Sequence, residues 1–283
     1  MKNVDGKVIL FTGGTSGLGR IAVKQLVVNG AKVLLTIRDN VKGQKLIEEL
    51  ATENPSKKGA IELIDCDFNS LDSVRSACSK VKETTSKLDA IVNNAGTWNF
   101  EFSESHDGIE NTLQVNVLVP VLIINELKEL LQKSESPKVI NTASALHQGE
   151  LNLDDLEFRN NFSGFKAYRQ SKLGIILLTR LYQKKIESDG INFFSQHPGL
   201  VNTGLVRKGG WLAKQFFKVF GKSPQKGAKT LLHLLETPSN KLKGGEYYKN
   251  CKASKTDTKT SYNIELAQKL EDACMEFLVT KSD

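Results

Sequence analysis

Residues 7–19 read KVILFTGGTSGLG, an apolar run followed by Thr12-Gly13-Gly14-Thr15-Ser16-Gly17-Leu18-Gly19. The run has the length and β-branched content of a buried strand. The pattern that follows it, 17–29, is helical. Glycines 13, 17 and 19 permit a tight turn and let the backbone approach a ligand closely. A helix N-terminus adds unpaired N–H groups and a partial positive charge. A glycine-rich loop between a strand and a helix is therefore suited to a pyrophosphate, and here it reads as a nucleotide-binding element.

Outward from this loop, short apolar runs alternate with helical patterns. Strands are expected at Lys7–Phe11, Lys32–Ile37, Ala60–Ile64, Ala90–Asn93, Lys138–Thr142, Ile191–Gln196 and Gly245–Tyr248. Helices are expected at 17–29, 41–52, 71–86, 108–131, 166–188, 225–236 and 263–278. Most of the strand runs are continuously apolar, as in strands buried on both faces. The alternation predicts an α/β fold, a Rossmann-like doubly wound parallel sheet of about seven strands. Ligands then belong at the carboxyl ends of the strands. The whole chain, 1–283, reads as a single domain with one helical insertion near 204–222.

Composition narrows the function classes. Apolar residues at 39% and charged residues at 25% are ordinary for a soluble globular protein. With 22 Gly and 6 Pro, collagen-like and low-complexity classes are excluded. The longest apolar run, Val117–Ile124, contains Pro120 and falls far short of the roughly 18 residues of a membrane span. The N-terminus lacks an apolar signal core, so a cytoplasmic location is expected. Cys66, Cys78, Cys251 and Cys274 show no CxxC spacing and are expected as thiols. The four histidines are scattered, and no metal site is expected. Net charge is +7, concentrated in 205–260, where 13 Lys/Arg face three acids. That segment is either a solvated lysine-rich surface or a contact for an anionic partner. No nucleic-acid partner is expected.

Four stretches together resemble the short-chain dehydrogenase/reductase superfamily, and the resemblance covers nearly all of the chain. They are the TGxxxGxG spacing of Thr12–Gly19, Asn93-Asn94-Ala95-Gly96, Tyr168 with Lys172, and Pro198-Gly199-Leu200-Val201-Asn202-Thr203. Ile37-Arg38-Asp39, Asp107-Gly108-Ile109-Glu110, Ala145-Leu146-His147 and Tyr247–Cys251 are similar to the branch of retinol dehydrogenases and WW-domain oxidoreductases. The resemblance implies a catalytic set of Asn116, Ser144, Tyr168 and Lys172. It implies cofactor contacts from Gly13, Thr15, Ser16, Gly17, Leu18 and Gly19. Asp67 and Phe68 would meet the adenine, and Asn93 the adenosine ribose, with Ala95 and Gly96 beside the cofactor. Lys172 would reach the nicotinamide ribose and Thr203 the carboxamide, with Tyr168, Pro198, Gly199 and Val201 nearby. For Asp67 a helix N-terminal carboxylate is the competing reading. Asn116 is followed by Val117-Leu118-Val119-Pro120, which departs from the branch's usual pattern.

Physical chemistry sharpens three of these positions. The second strand should end at the adenosine ribose, where an acid selects NAD and a basic residue accommodates a 2′-phosphate. Here Ile37 is apolar and Arg38 can fork onto a phosphate, so NADP(H) is the expected cofactor; the alternative is an exposed arginine paired with Asp39. Tyr168 and Lys172 are four apart and share a helix face. An ammonium about 4 Å away is worth roughly 4 kcal/mol at an effective dielectric near 20, enough to lower a phenol by up to about three pH units. Tyr168 is then expected to donate or accept the proton at a carbonyl or alcohol oxygen. Ser144 can hydrogen-bond that oxygen.

The substrate should lie among Ser144, Tyr168, Leu146, the loop bearing Trp98 and Phe100, and the insertion bearing Trp211, Phe216 and Phe217. Nothing suggests a pocket for a sugar phosphate or amino acid, so a lipophilic aldehyde, ketone or alcohol is expected. The insertion's apolar stripe fits a substrate lid, core packing, or a helix resting peripherally on an anionic membrane. A homodimer through 108–131 and 166–188 stays open. The competing class is a cofactor-binding regulatory protein of the same fold, against which the complete catalytic set argues.

Overall fold

The computed structural model describes residues 4–57, 59–186, 189–199, 224–256 and 258–280. Its strands are β1 (Val8–Thr12), β2 (Lys32–Ile37), β3 (Ile61–Asp65), β4 (Ala90–Asn93), β5 (Lys138–Thr142), β6 (Asn192–His197), β7 (Tyr247–Lys249) and β8 (Lys252–Ser254). They form one sheet in the order β3-β2-β1-β4-β5-β6-β7-β8. β1 to β7 run parallel, and β8 is antiparallel to β7. The expectation of seven strands thus misses one. Its signal is absent because Lys252-Ala253-Ser254 is short and carries no large apolar residue. What forms the hairpin is the turn Asn250-Cys251, with φ of 51° and 63°. Two successive left-handed residues match the right-handed twist of the flanking strands.

Successive residues on the inner strands feed opposite faces of the sheet. Leu10, Leu34, Ile91, Val139 and Phe193 pack on one side, under α3 (Leu71–Thr84), α5 (Val119–Gln132), α6 (Gly164–Lys185) and α8 (Ile264–Thr280). Their chain neighbours Phe11, Val33, Leu35, Val92, Ile140 and Phe194 pack on the other, under α1 (Gly17–Val28), α2 (Asn40–Glu53) and α7 (Pro224–Glu236). All eleven are essentially unexposed, which is why these runs show no polar alternation.

The helix expected at 108–131 starts later and is interrupted. Gly108 has φ +69°, and Glu110 accepts N–H bonds from Thr112 (2.8 Å) and Leu113 (2.7 Å) as the cap of α4 (Asn111–Leu113). The backbone then widens into a π-turn over Gln114–Leu118 before α5 begins. Pro120 falls where the π-turn passes into α5, the position at which the regular bonding pattern is already interrupted. Asp107 serves a different helix: its carboxylate accepts the Leu71 N–H at 3.0 Å, at the start of α3. The stretch Asp107–Glu110 therefore closes two helix ends around one left-handed glycine.

Candidate active site

Strand order reverses between β1 and β4, so the loops leaving their carboxyl ends diverge and open a crevice. The two loops are stitched at their base. Thr12 Oγ1 accepts the N–H groups of Asn94 (2.9 Å) and Ala95 (3.0 Å). Asn94 Nδ2 donates to the carbonyls of Thr12 (3.1 Å) and Gly13 (3.0 Å). Gly13 is left-handed at φ +69°, and a Cβ there would stand 2.8 Å from Ala95 Cα. A Cβ on Gly19 would stand 2.1 Å from the Gly13 carbonyl oxygen.

The start of α1 differs from those of α2, α3 and α6. Asp39, Ser70 and Ser163 cap α2, α3 and α6 with side-chain oxygens, but Ser16 makes no such bond at α1. The first-turn amides at Gly17–Gly19 stay available beside a loop without bulky side chains. These residues fit a pyrophosphate. At the end of β2, Arg38 is exposed and makes no hydrogen bond or ion pair among the described residues. Asp39, the alternative partner, caps α2 and pairs with Lys42 instead. Asp67 Oδ1 accepts the N–H of Asn69 (3.1 Å), forming a turn ahead of α3, whose cap is Ser70. Phe68 is half-buried, and its carbonyl accepts Gln114 Nε2 at 3.0 Å. Asn93 faces inward: its Nδ2 donates to Asn141 Oδ1 (2.9 Å), and Asn141 Nδ2 to Thr179 Oγ1 on α6 (3.0 Å).

Three elements bring the catalytic candidates together. α6 carries Tyr168 and Lys172, and Ser144 follows β5. Ser144 stands beside the Tyr168 phenol, close enough to favour its ionised form. Lys172 Nζ lies 5.6 Å from the Tyr168 ring centroid and donates to the Thr142 carbonyl at 3.0 Å. Asn116 sits in the π-turn. Its Oδ1 accepts the Thr97 N–H (2.8 Å) and its Nδ2 donates to Thr97 O (2.9 Å) and Ser171 Oγ (3.0 Å). It pins the loop after β4 to α6. At Gly96, a Cβ would meet Asn116 Oδ1 at 3.1 Å and Lys172 Nζ at 3.4 Å, so only glycine leaves these groups undisturbed.

The electrostatics correct one expectation. Burial raises the Tyr168 phenol above its ordinary value, an effect the neighbouring Ser144 only partly offsets. Burial also lowers Lys172 to about 8. Desolvation of both groups outweighs the expected pull of the ammonium on the phenol.

The substrate-side residues form an aromatic ladder. Trp98 stacks on Tyr168 (centroids 4.5 Å apart, planes 13° apart) and on Phe100 (5.2 Å, 18°). The indole Nε1 is buried without a partner among the described residues. Close contact fixes the ladder: a Cβ on Gly164, at the start of α6, would stand 2.0 Å from Asn99 O. Leu146 is half-buried, and its N–H donates to Ser144 Oγ at 3.1 Å. Pro198 and Gly199, the latter at φ +87°, leave the end of β6. Val201, Thr203, Trp211, Phe216, Phe217 and the insertion 204–222 lie outside the described residues.

Reading the sequence names Asn94, His147 and Tyr247 within motifs but gives them no role, because Asn94's stitch to β1 and the group around Ser144 need the fold to be seen; His197 it does not name. His147 Nδ1 lies 2.7 Å from the Ser144 carbonyl oxygen, the Tyr247 hydroxyl donates to the same oxygen (3.3 Å), and His197 Nδ1 accepts the Ala145 N–H (3.1 Å). The adjacency of His147 to Ser144 was the available signal. Away from this edge, a cavity of about 420 Å³ touches Lys7, Asp89 and Lys138. Three of its charged groups are engaged internally: Lys7 pairs with Asp89, and Lys138 donates to the carbonyls of Leu234, Leu235 and Thr237. Among the described residues no helix is long and apolar enough to cross a membrane, and no side-chain cluster suits a metal ion.

A sheet that opens at such a switch point, with a glycine loop on one side and a tyrosine–lysine pair on the other, is the frame of a nicotinamide-dependent oxidoreductase. The chain belongs to the short chain dehydrogenase family, whose model matches residues 7–210. It is 32% identical to human retinol dehydrogenase 14 over 265 residues, covering 87% of this chain and 79% of the relative. It is 31% identical to human polyprenol dehydrogenase over 275 residues, covering 93% and 82%. The crystal structure of an uncharacterized protein from Mycobacterium paratuberculosis shares the fold with a TM-score of 0.77 at 23% identity, over 98% of this chain and 95% of that one.

Proposed function

We propose that this chain is an NADP(H)-dependent oxidoreductase that moves a hydride between the nicotinamide and a lipophilic aldehyde, ketone or alcohol, with Tyr168 as general acid and base. The observation that carries the reading is the convergence of Ser144, Tyr168 and Lys172: Lys172 Nζ lies 5.6 Å from the Tyr168 ring centroid, and Ser144 stands close enough to the phenol to shift its pKa. The cofactor, when bound, supplies or accepts the hydride. Ser144 Oγ accepts the Leu146 N–H, so its own proton is the one it can offer to Tyr168 or to a substrate oxygen. Tyr168, kept protonated by burial, gives its proton to that oxygen in reduction and becomes a phenolate; in oxidation the phenolate takes the alcohol proton back. Lys172, also buried, stabilises the phenolate that this transfer creates.

Arg38, exposed and unpaired among the described residues, supports a 2′-phosphate on the cofactor. The Phe100–Trp98–Tyr168 ladder supports an apolar substrate, as do relatives named for retinol and polyprenol. A panel of hexanal, decanal and all-trans-retinal, each with NADPH and with NADH, tests the proposal. NADPH oxidation should be fastest with the two larger aldehydes. No oxidation with any of them, together with no NADP⁺ reduction by the matching alcohols, would reject it.

A further inference from the structure

Ser144 is held in an unusual way. Its carbonyl and the N–H of Ala145 belong to one planar peptide unit. Three side chains grip that unit. On the oxygen end, His147 Nδ1 lies at 2.7 Å and the Tyr247 hydroxyl donates at 3.3 Å. A carbonyl only accepts, so His147 Nδ1 carries a proton. On the nitrogen end, the Ala145 N–H donates to His197 Nδ1 at 3.1 Å, so that ring nitrogen is bare. The grips come from separate segments: His147 from the loop after β5, His197 from the last residue of β6, and Tyr247 from the first residue of β7. All three are buried, at 1%, 6% and 2% exposure, and the rings of His147 and Tyr247 stand 5.2 Å apart.

We propose that His147 and Tyr247 are positioning residues: by donating to the Ser144 carbonyl they anchor the backbone at Ser144, and with it the place from which Ser144 Oγ meets Tyr168. The proposal rests on the reading of Ser144 and Tyr168 given above. The argument is one of leverage. The Leu146 N–H bond to Ser144 Oγ sets the side-chain rotamer, but a rotamer has meaning only relative to a fixed backbone. Ser144 and Ala145 lie beyond the end of β5, outside its ladder. The peptide plane there depends on these side-chain bonds instead. Released from these bonds the segment can shift, and a displacement of the Ser144 Cα carries Oγ away from Tyr168 by a distance that matters to proton transfer. The arrangement also gives β7 a role in the site.

Steady-state reduction of decanal by NADPH tests this with four variants. His147→Leu should lower kcat by about 10- to 100-fold with the NADPH dissociation constant unchanged. His147→Asn places an amide N–H near the Nδ1 position and should recover most of that loss, which a merely space-filling role would not show. Tyr247→Phe keeps the ring packing and should cost roughly three- to tenfold in kcat, consistent with one lost neutral hydrogen bond; it carries the test if His147→Leu does not fold. Ser144→Ala is the control for the parent reading. If it abolishes turnover while His147→Leu and Tyr247→Phe both stay within twofold of wild type, the positioning role is wrong. Recovery no better in His147→Asn than in His147→Leu also overturns it. Wild-type turnover in Ser144→Ala removes the reading of Ser144 itself, and the positioning role with it.

Discussion

The two sides of the crevice are made of different material. Between β1 and β2 the site is backbone: a left-handed Gly13, a Gly19 pressed on the Gly13 carbonyl, and an α1 start that no side chain caps. Around β5, β6 and α6 it is side chain: a buried phenol and lysine, a serine whose peptide plane is gripped by three residues, and an asparagine that ties a loop to a helix. The first kind of site needs absence, of Cβ atoms and of caps, and its residues are neighbours in the chain. The second needs groups converging from distant segments, with burial as its cost. A cofactor phosphate can be bound by amides that every residue owns; proton transfer cannot.

The sharpest test of this contrast removes one atom from the side-chain half. Tyr168→Phe keeps the stack with Trp98 and deletes only the hydroxyl. Turnover of decanal should fall by about 10²- to 10⁴-fold, the usual worth of a positioned general acid. The dissociation constant for NADPH should hold within about twofold, since the phosphate site is backbone made. Retention of most of the wild-type rate would end the proton-transfer role.

The converse change adds one atom to the backbone half. Gly19→Ala puts a methyl 2.1 Å from the Gly13 oxygen, a distance real Cβ atoms do not adopt, so the loop must move. Strain of about 1–3 kcal/mol is expected, read as roughly 10- to 100-fold weaker NADPH binding. With cofactor saturating, kcat should stay near wild type. A fall in kcat with unchanged affinity would show that the two halves are not separable in this way. Arg38 marks the limit of the backbone rule, because the 2′-phosphate is read by a side chain. Arg38→Ala should reduce the preference for NADPH over NADH about 10- to 100-fold, as the loss of a charge-assisted bond of roughly 1.5–3 kcal/mol requires. An unchanged preference would assign the discrimination to another group.

The same contrast decides what could be seen in the sequence. The glycine loop and the alternation of apolar runs with helical patterns are local signals, and β1 to β7 lie within a residue or two of where those signals put them. Tyr168 and Lys172 were legible because both sit on one helix at a four-residue spacing. Ser144 and Asn116 were legible by resemblance, their contacts not at all. Asn116 bonds Thr97 and Ser171, one of them 55 positions away, and Tyr247 reaches Ser144 from 103 positions away. No periodicity encodes such pairs. β8 was invisible because three residues of Lys-Ala-Ser hold no pattern; only its turn, with Asn250 and Cys251 left-handed, makes it a strand. The rise of the Tyr168 phenol was missed because a spacing argument counts the neighbouring charge and omits the water both groups lose.

That lost water gives the smallest and most delicate expectation. Burial lowers Lys172 from 10.5 to about 8, so without cofactor the folded protein gives up this proton well before the unfolded chain does. Between those two values the unfolded state holds more protons, and stability rises with pH. Below the folded value the full cost of the buried ammonium is present, roughly 3 kcal/mol. Lys172→Met removes that cost but leaves the Thr142 carbonyl without its donor, a loss of about 1–3 kcal/mol. The transfer cost is the larger on balance, so at pH 7 the cofactor-free variant should melt a few degrees above wild type while turning over no substrate. Its advantage should shrink and then reverse as pH climbs toward 10, where wild-type Lys172 is neutral and keeps its hydrogen bond. Melting curves of both proteins from pH 6 to 10 check this. A variant that melts below wild type at pH 7, by a margin that does not change with pH, would mean that the lysine is not held at a cost and that the side-chain half of the crevice is as relaxed as the backbone half.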